Sequence, residues 1–225
     1  MRKFPYIYCL TVLFMLCCPI LETVAQNKDL NTYLESVEGN SLLYRGKIEK
    51  HYSFKYKGTY FVYQEEYVAG DVYYNKKLYT GVLLNLNAET DELSVRLTSS
   101  HLPVSLDKSL VEYFTLGEKR FVNVRGGYYE ILVEGDVSLM KKTTKEYREN
   151  LVSSGQDSKI EKVYDSVLEY YLVKGEEWIR VTGKGTFTKL FRENKKDINE
   201  VFRSAPRIVR NDKDMLYKRV MEVVR

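Results

Sequence analysis

Past residue 18 the sequence has no cysteine: its three, Cys9, Cys17 and Cys18, all lie in an apolar N-terminal stretch. The rest of the chain therefore has no disulfide framework, no zinc–cysteine site and no cysteine nucleophile. Histidine is almost as scarce, and His51 and His101 are too far apart to form a paired HExxH metal motif. No GxSxG elbow or phosphate-cradling loop occurs; Gly183-Lys-Gly-Thr186 lacks the upstream glycine and the spacing. No one sign of charge dominates, with 35 basic residues against 31 acidic and a net +4. That balance excludes the concentrated basic face that nucleic acid requires. The adjacent acids Glu65-Glu66 and Glu176-Glu177 would point to opposite faces of a strand, so neither pair can flank one glycosidic bond. No catalytic, cofactor-binding or metal-ligating residue is assigned.

The one long apolar run is at the start. Arg2 and Lys3 precede Tyr6–Cys18, an apolar core too short to span a bilayer, and Thr23-Val24-Ala25 places small residues where a signal peptidase reads. A signal peptide over 1–25 is expected, with the mature chain starting at Gln26. The alternative is a lipid anchor at Cys17 or Cys18, but Leu16 is too large for the usual lipidation box.

Tyrosine is abundant, with 20 in the chain. The stretch GDVYYNKKLYTGVLLNLNAETDELSVRL, Gly70 to Leu97, shows why: aromatic and branched residues alternate with polar ones on either side of a polar turn at Asn87–Glu92. Tyrosine forms strands well because its ring packs across the pleat while its hydroxyl reaches an edge or water. Period-two patterning predicts strands at Tyr52–Lys57, Leu78–Leu86, Leu93–Leu97, Leu110–Leu116, Lys119–Arg125, Gly127–Glu134, Val137–Lys142, Ile160–Val173 and Trp178–Thr182. Gly117-Glu118, Gly126-Gly127, Gly135-Asp136 and Lys174-Gly175-Glu176 separate the later ones. Loops this short join antiparallel neighbours. Alternation puts Leu93, Val95 and Leu97 in the core and Ser94 toward solvent, and Trp178 is read as sealing the core.

The ends read as helical. Leu30, Tyr33, Leu34 and Val37 predict a short helix within 26–40. Phe187, Leu190, Phe191, Ile198, Val201 and Phe202 form one stripe on a helix that Thr186 would cap and that stops before Pro206. Asn211 and Asp214 read as a capping box for a last helix burying Leu216, Val220, Val223 and Val224. The expected fold is α+β, mainly β: a large antiparallel meander over 41–182, flat, curved or half-barrel, covered by two helices over 183–225, all one domain.

Two segments, YFTLGEKRFVNVRGGYYEILVEGDVSLMKKTTKEY (Tyr113–Tyr147) and YYLVKGEEWIRVTGKGTFTKLFRENKKDINEVFR (Tyr170–Arg203), resemble a family of exported β-rich proteins of Bacteroidota. The resemblance extends to Gly70–Leu93 and implies a compartment, the periplasm or outer membrane, but carries no functional residues over. The expected function is a non-catalytic cell-envelope module that binds another envelope protein through a sheet edge or a tyrosine-rich face. The alternatives are a periplasmic carrier of lipid or another apolar ligand in a half-barrel cavity, and a polysaccharide-active enzyme.

Overall fold

The computed structural model describes residues 42–49, 52–98, 102–154 and 157–225. The expected signal peptide, the helix expected within 26–40, His51 and His101 lie outside the described residues. By internal contacts the chain divides into Met1–Tyr44 and Arg45–Arg225. The described part of the first unit is a 3-10 turn at Leu42–Tyr44. The second unit carries the sheet and the helices.

Eleven strands form one antiparallel sheet: β1 (Lys47–Ile48), β2 (Val68–Tyr74), β3 (Lys77–Asn87), β4 (Glu92–Arg96), β5 (Pro103–Ser105), β6 (Val111–Leu116), β7 (Lys119–Val124), β8 (Gly127–Val133), β9 (Ser138–Ser154), β10 (Asp157–Lys174) and β11 (Glu177–Arg180). Their spatial order is β1-β5-β4-β3-β2-β6-β7-β8-β9-β10-β11. Two meanders, β2 to β5 and β6 to β11, thus meet at the β2–β6 pair. Hairpin turns follow the sequence chemistry: Asn75-Lys76 and Arg125-Gly126 both hold consecutive positive φ angles, the backbone that matches the right-handed twist of flanking strands. The sheet curls without closing into a barrel, far enough for the β3–β4 turn to meet β9, where Lys145 N–H donates to the Ala88 carbonyl at 3.0 Å. Inside the curl Val72, Leu84, Leu93, Val95, Phe114 and Tyr128 are fully buried.

A β-bulge corrects the side-chain row expected along β3. The β2–β3 register shifts between Gly70 and Val72, opposite a left-handed Gly81. One extra residue inverts the alternation, so Val82, Leu84 and Leu86 are buried while Leu78 and Thr80 are exposed. Gly70 also permits a close approach: a Cβ there would lie 2.0 Å from the Thr115 carbonyl oxygen.

The strand expected at Tyr52–Lys57 does not form. Apart from one bridge to β10, where Lys57 N–H donates to the Lys162 carbonyl at 2.8 Å, the segment is a strap outside the ladder. Its burial still alternates, because Tyr52, Phe54 and Tyr56 lean on Tyr60, Tyr147 and Tyr164. Conversely, β9 runs well past the expected Val137–Lys142, out to Ser154, and forms a paired ribbon with β10, which follows the expected Ile160–Val173 and extends it only to Asp157 and Lys174.

Four helices follow: α1 (Lys184–Leu190), α2 (Lys195–Ser204), α3 (Arg207–Asn211) and α4 (Lys213–Val224). The single helix expected from Thr186 to Pro206 is broken at Phe191–Asn194, where Asn194 donates its side-chain amide to the Val223 carbonyl of α4 at 3.1 Å. Gly183, not Thr186, precedes α1; the Thr186 hydroxyl accepts from Thr182 N–H at 3.2 Å. Asp212, not Asn211, caps α4, accepting from Met215 N–H at 3.1 Å. The buried side chains of α4 are Leu216, Tyr217, Val220 and Met221, while Val223 is exposed. Together with Phe187 and Ile198 they pack on Leu139, Tyr170 and Leu172 of β9 and β10. The helices thus cover one face at the β8–β11 end of the sheet. Among the described residues no helix is long and apolar enough to cross a membrane.

Candidate binding surface

Side chains on β8–β11 alternate between the helix-covered face and an open one. Leu172 pairs with Ile179 and both face the helices, so their neighbours Tyr171, Val173, Trp178 and Arg180 face the other way. Trp178 therefore does not seal the core. It is half-exposed on the open face, its ring centroid 4.9 Å from that of Tyr129 and 5.7 Å from that of Tyr171, both nearly edge-on. The Arg125 guanidinium sits 4.8 Å over the indole, and its Nη2 donates to the Glu176 carbonyl at 3.1 Å. The positive φ of Arg125 in the β7–β8 turn places it there. Val124, Arg125, Met140, Val173, Glu176 and Trp178 line a shallow groove of about 530 Å³.

The register carries this surface across the sheet. Tyr73 lies opposite Tyr113, Tyr113 opposite Val122, and Val122 opposite Tyr129, so all four share the open face. Tyr73 and Tyr113 stack at 5.3 Å, with the Arg120 guanidinium 5.5 Å from the Tyr113 ring. Burial is the main cause that raises the hydroxyl pKa values of Tyr129 and Tyr171, keeping both as neutral donors at physiological pH. Rigid aromatic rings flanked by arginine are the composition of energetically dominant patches in protein interfaces.

A second group of tyrosines is structural in character. Around Tyr164 four hydroxyls meet carboxylates: Tyr52 and Tyr164 donate to Glu89 at 2.6 and 3.2 Å, Tyr56 donates to Glu65 at 3.0 Å, and Tyr67 donates to Glu49. The Tyr52 bond fastens the Tyr52–Phe61 strap to the β3–β4 turn, and the Tyr56 bond ties it to the loop before β2. Burial first, then the carboxylate partner, pushes the Tyr52 and Tyr56 pKa values up to about 12. Both hydroxyls are therefore protonated donors at neutral pH.

A third network lies beneath α4. Lys141, 4% exposed, bridges Glu130 and Asp214 at 2.6 Å each, Tyr63 donates to Glu130, and Tyr170 donates to Asp214 at 2.7 Å. Burial opposes the Lys141 charge, but the two carboxylates outweigh it and hold the ammonium above the ordinary lysine range. This is a polar lock between helix and sheet.

The residues weighed in the sequence come to rest apart from one another. Glu65 and Glu66 sit in a loop whose carbonyls accept from the buried Asn85 amide at 3.3 and 3.2 Å. Glu176 and Glu177 flank the β10–β11 turn. Arg125, Tyr129 and Tyr171 are functional candidates that the sequence pattern does not single out, since only strand pairing brings the β7–β8 hairpin, with Arg125 and Tyr129, beside the β10–β11 hairpin, with Tyr171 and Trp178. No protein-family model, curated protein or solved structure matches the chain.

Proposed function

We propose that the chain is a non-catalytic module of the cell envelope, exported to the periplasm or outer membrane, that binds another envelope protein through its open aromatic face. The observation that carries this reading is the half-exposed cluster of Tyr129, Tyr171 and Trp178 with Arg125 stacked on the indole. Its rings are held by one another, so burying them under a partner removes apolar area from water with little loss of side-chain freedom. The helix stripe that a lipid carrier would turn toward its cargo is instead packed on Leu139, Tyr170 and Leu172, which favours the module over the carrier.

The test is photo-crosslinking in envelope fractions with a reactive group at position 180, comparing the native background with Tyr171→Ala/Trp178→Ala. A discrete crosslinked species is expected, and is expected to vanish in the double variant while unfolding remains cooperative. An unchanged crosslink would overturn the reading. Ile208→Ala, at an exposed site on α3, is the control that leaves the crosslink intact.

A further inference from the structure

β11 is the last strand of the sheet, and no described strand pairs with its outer side. Val181 N–H donates inward to the Tyr170 carbonyl at 2.8 Å, so by alternation Glu177 and Ile179 also bond inward. The backbone N–H and C=O groups of Trp178 and Arg180 consequently point outward from the sheet. At position 182 the outward N–H is already met by the Thr186 hydroxyl, which ends the free stretch. α1 runs alongside, and between it and β11 lies a groove of about 570 Å³ whose lining includes Ile179, Arg180, Thr182, Lys189, Leu190 and Arg192. Its floor is apolar at Ile179 and Leu190, and its rim carries three basic residues, Arg180, Lys189 and Arg192, against one acid, Glu177. Arg180 is held by Glu169 at 2.5 Å, whereas Lys189 and Arg192 are exposed and appear in no ion pair among the described residues.

We propose that β11 takes an added strand: an extended, acid-rich segment of the partner protein that pairs with the outward groups of Trp178 and Arg180. This rests on the reading of the chain as a partner-binding module and names the chemistry of what it binds. The added strand would set alternate side chains over the groove, where apolar ones meet Ile179 and Leu190 and carboxylates reach Lys189 and Arg192. The other side chains would lie toward Trp178 on the open face. Charge decides against a second copy of this chain, because pairing two β11 edges would bring two sets of Lys189 and Arg192 together.

The experiment is selection of a random displayed peptide library on the full mature chain, followed by titration of a selected peptide while the fluorescence of Trp178, the only tryptophan, is read. Enrichment of acidic, alternating sequences is expected, with a saturating change in Trp178 emission. Arg180→Pro removes an outward N–H without touching the β10 ladder, a change that edge strands tolerate. It should weaken binding about tenfold relative to Arg180→Ala, which keeps the N–H. Methylating the peptide backbone nitrogens should abolish binding to the unaltered protein, a readout independent of any variant's folding. Lys189→Glu/Arg192→Glu should weaken the acidic peptide by a similar factor.

Several results would overturn the proposal: basic or helical selected sequences, no enrichment, equal affinity of the Pro and Ala variants, or a dimer lost on Arg180→Pro. With the reactive group placed instead at the exposed position 176, a crosslink that survives Arg180→Pro yet disappears with Tyr171→Ala would retain the module and discard strand addition.

Discussion

Leu93, Ser94 and Val95 are all completely buried, although alternation alone turns Ser94 to water. Strand β4 has neighbours on both sides in the sheet, and the loop before β2 covers its second face: Tyr67 of that loop carries the Arg96 guanidinium 4.8 Å over its ring. A small residue at 94 is therefore a packing requirement. Ser94→Glu, harmless on a solvent face, should cost about 3 kcal/mol or more by burying a charge, and Leu93→Ala about 2–4 kcal/mol by opening a cavity. Urea denaturation of the two variants measures both, and a silent Ser94→Glu would return that face to water. The strap tyrosines make a second prediction at this scale. Their hydroxyl pKa values rise from about 10 unfolded to about 12 folded, so the stability they contribute is complete below pH 10 and is lost as pH climbs through 12. Melting temperature should fall over that interval. Tyr52→Phe/Tyr56→Phe should lose stability at neutral pH but show a shallower alkaline decline.

Among the elements, α4 is held most specifically, through Asp214 to Lys141 and on to Glu130. Replacing Lys141 by Met leaves the buried Glu130 carboxylate and the half-buried Asp214 carboxylate without their cation and should cost about 3–5 kcal/mol, more than the loss of an exposed surface ion pair would. Replacing Glu130 by Gln in the same chain should recover part of that loss, which a double-mutant cycle in denaturant reads directly. None of this lock could be read from the sequence, since Tyr63, Glu130, Lys141 and Asp214 come from a loop, two strands and a helix far apart along the chain. The strands from β6 onward were legible because each is bounded by a glycine turn and paired with its neighbour in sequence. Tyr52–Lys57 deceived because a strap lying across a ring cluster buries every second residue just as a strand does. The outer half of β9 is illegible for the opposite reason: Glu146, Arg148 and Glu149 are exposed, and no apolar alternation marks the pattern. The binding surface was legible only as an excess of tyrosine; which tyrosines share a face depends on register and on the bulge in β3.

For the molecule as a whole, the helices complete the core of the β8–β11 end and are not an appendage to it. Removing residues 183–225 uncovers Leu139, Tyr170 and Leu172 and leaves Lys141 and Glu130 without Asp214. The truncated chain should lose cooperative thermal unfolding; an unaltered melt would show that the sheet stands alone. The β9–β10 ribbon has a different stability along its length. Near the sheet its strands gain support from β8, from Ala88 and from Lys57, which reaches Lys162, but from Asn150 and Glu161 outward the described backbone pairing is of β9 with β10 alone. At about 3.3 Å per residue the 18 residues of β10 reach about 60 Å, and the outer part exposes Leu151 and Ile160 at 71% and 58%. Two strands without a covering layer are marginally stable in water. Deuterium should therefore enter the amides from Lys159 to Glu161 and from Asn150 to Val152 through local opening, long before it reaches Leu139 or Leu172, whose exchange waits for the whole unit to unfold.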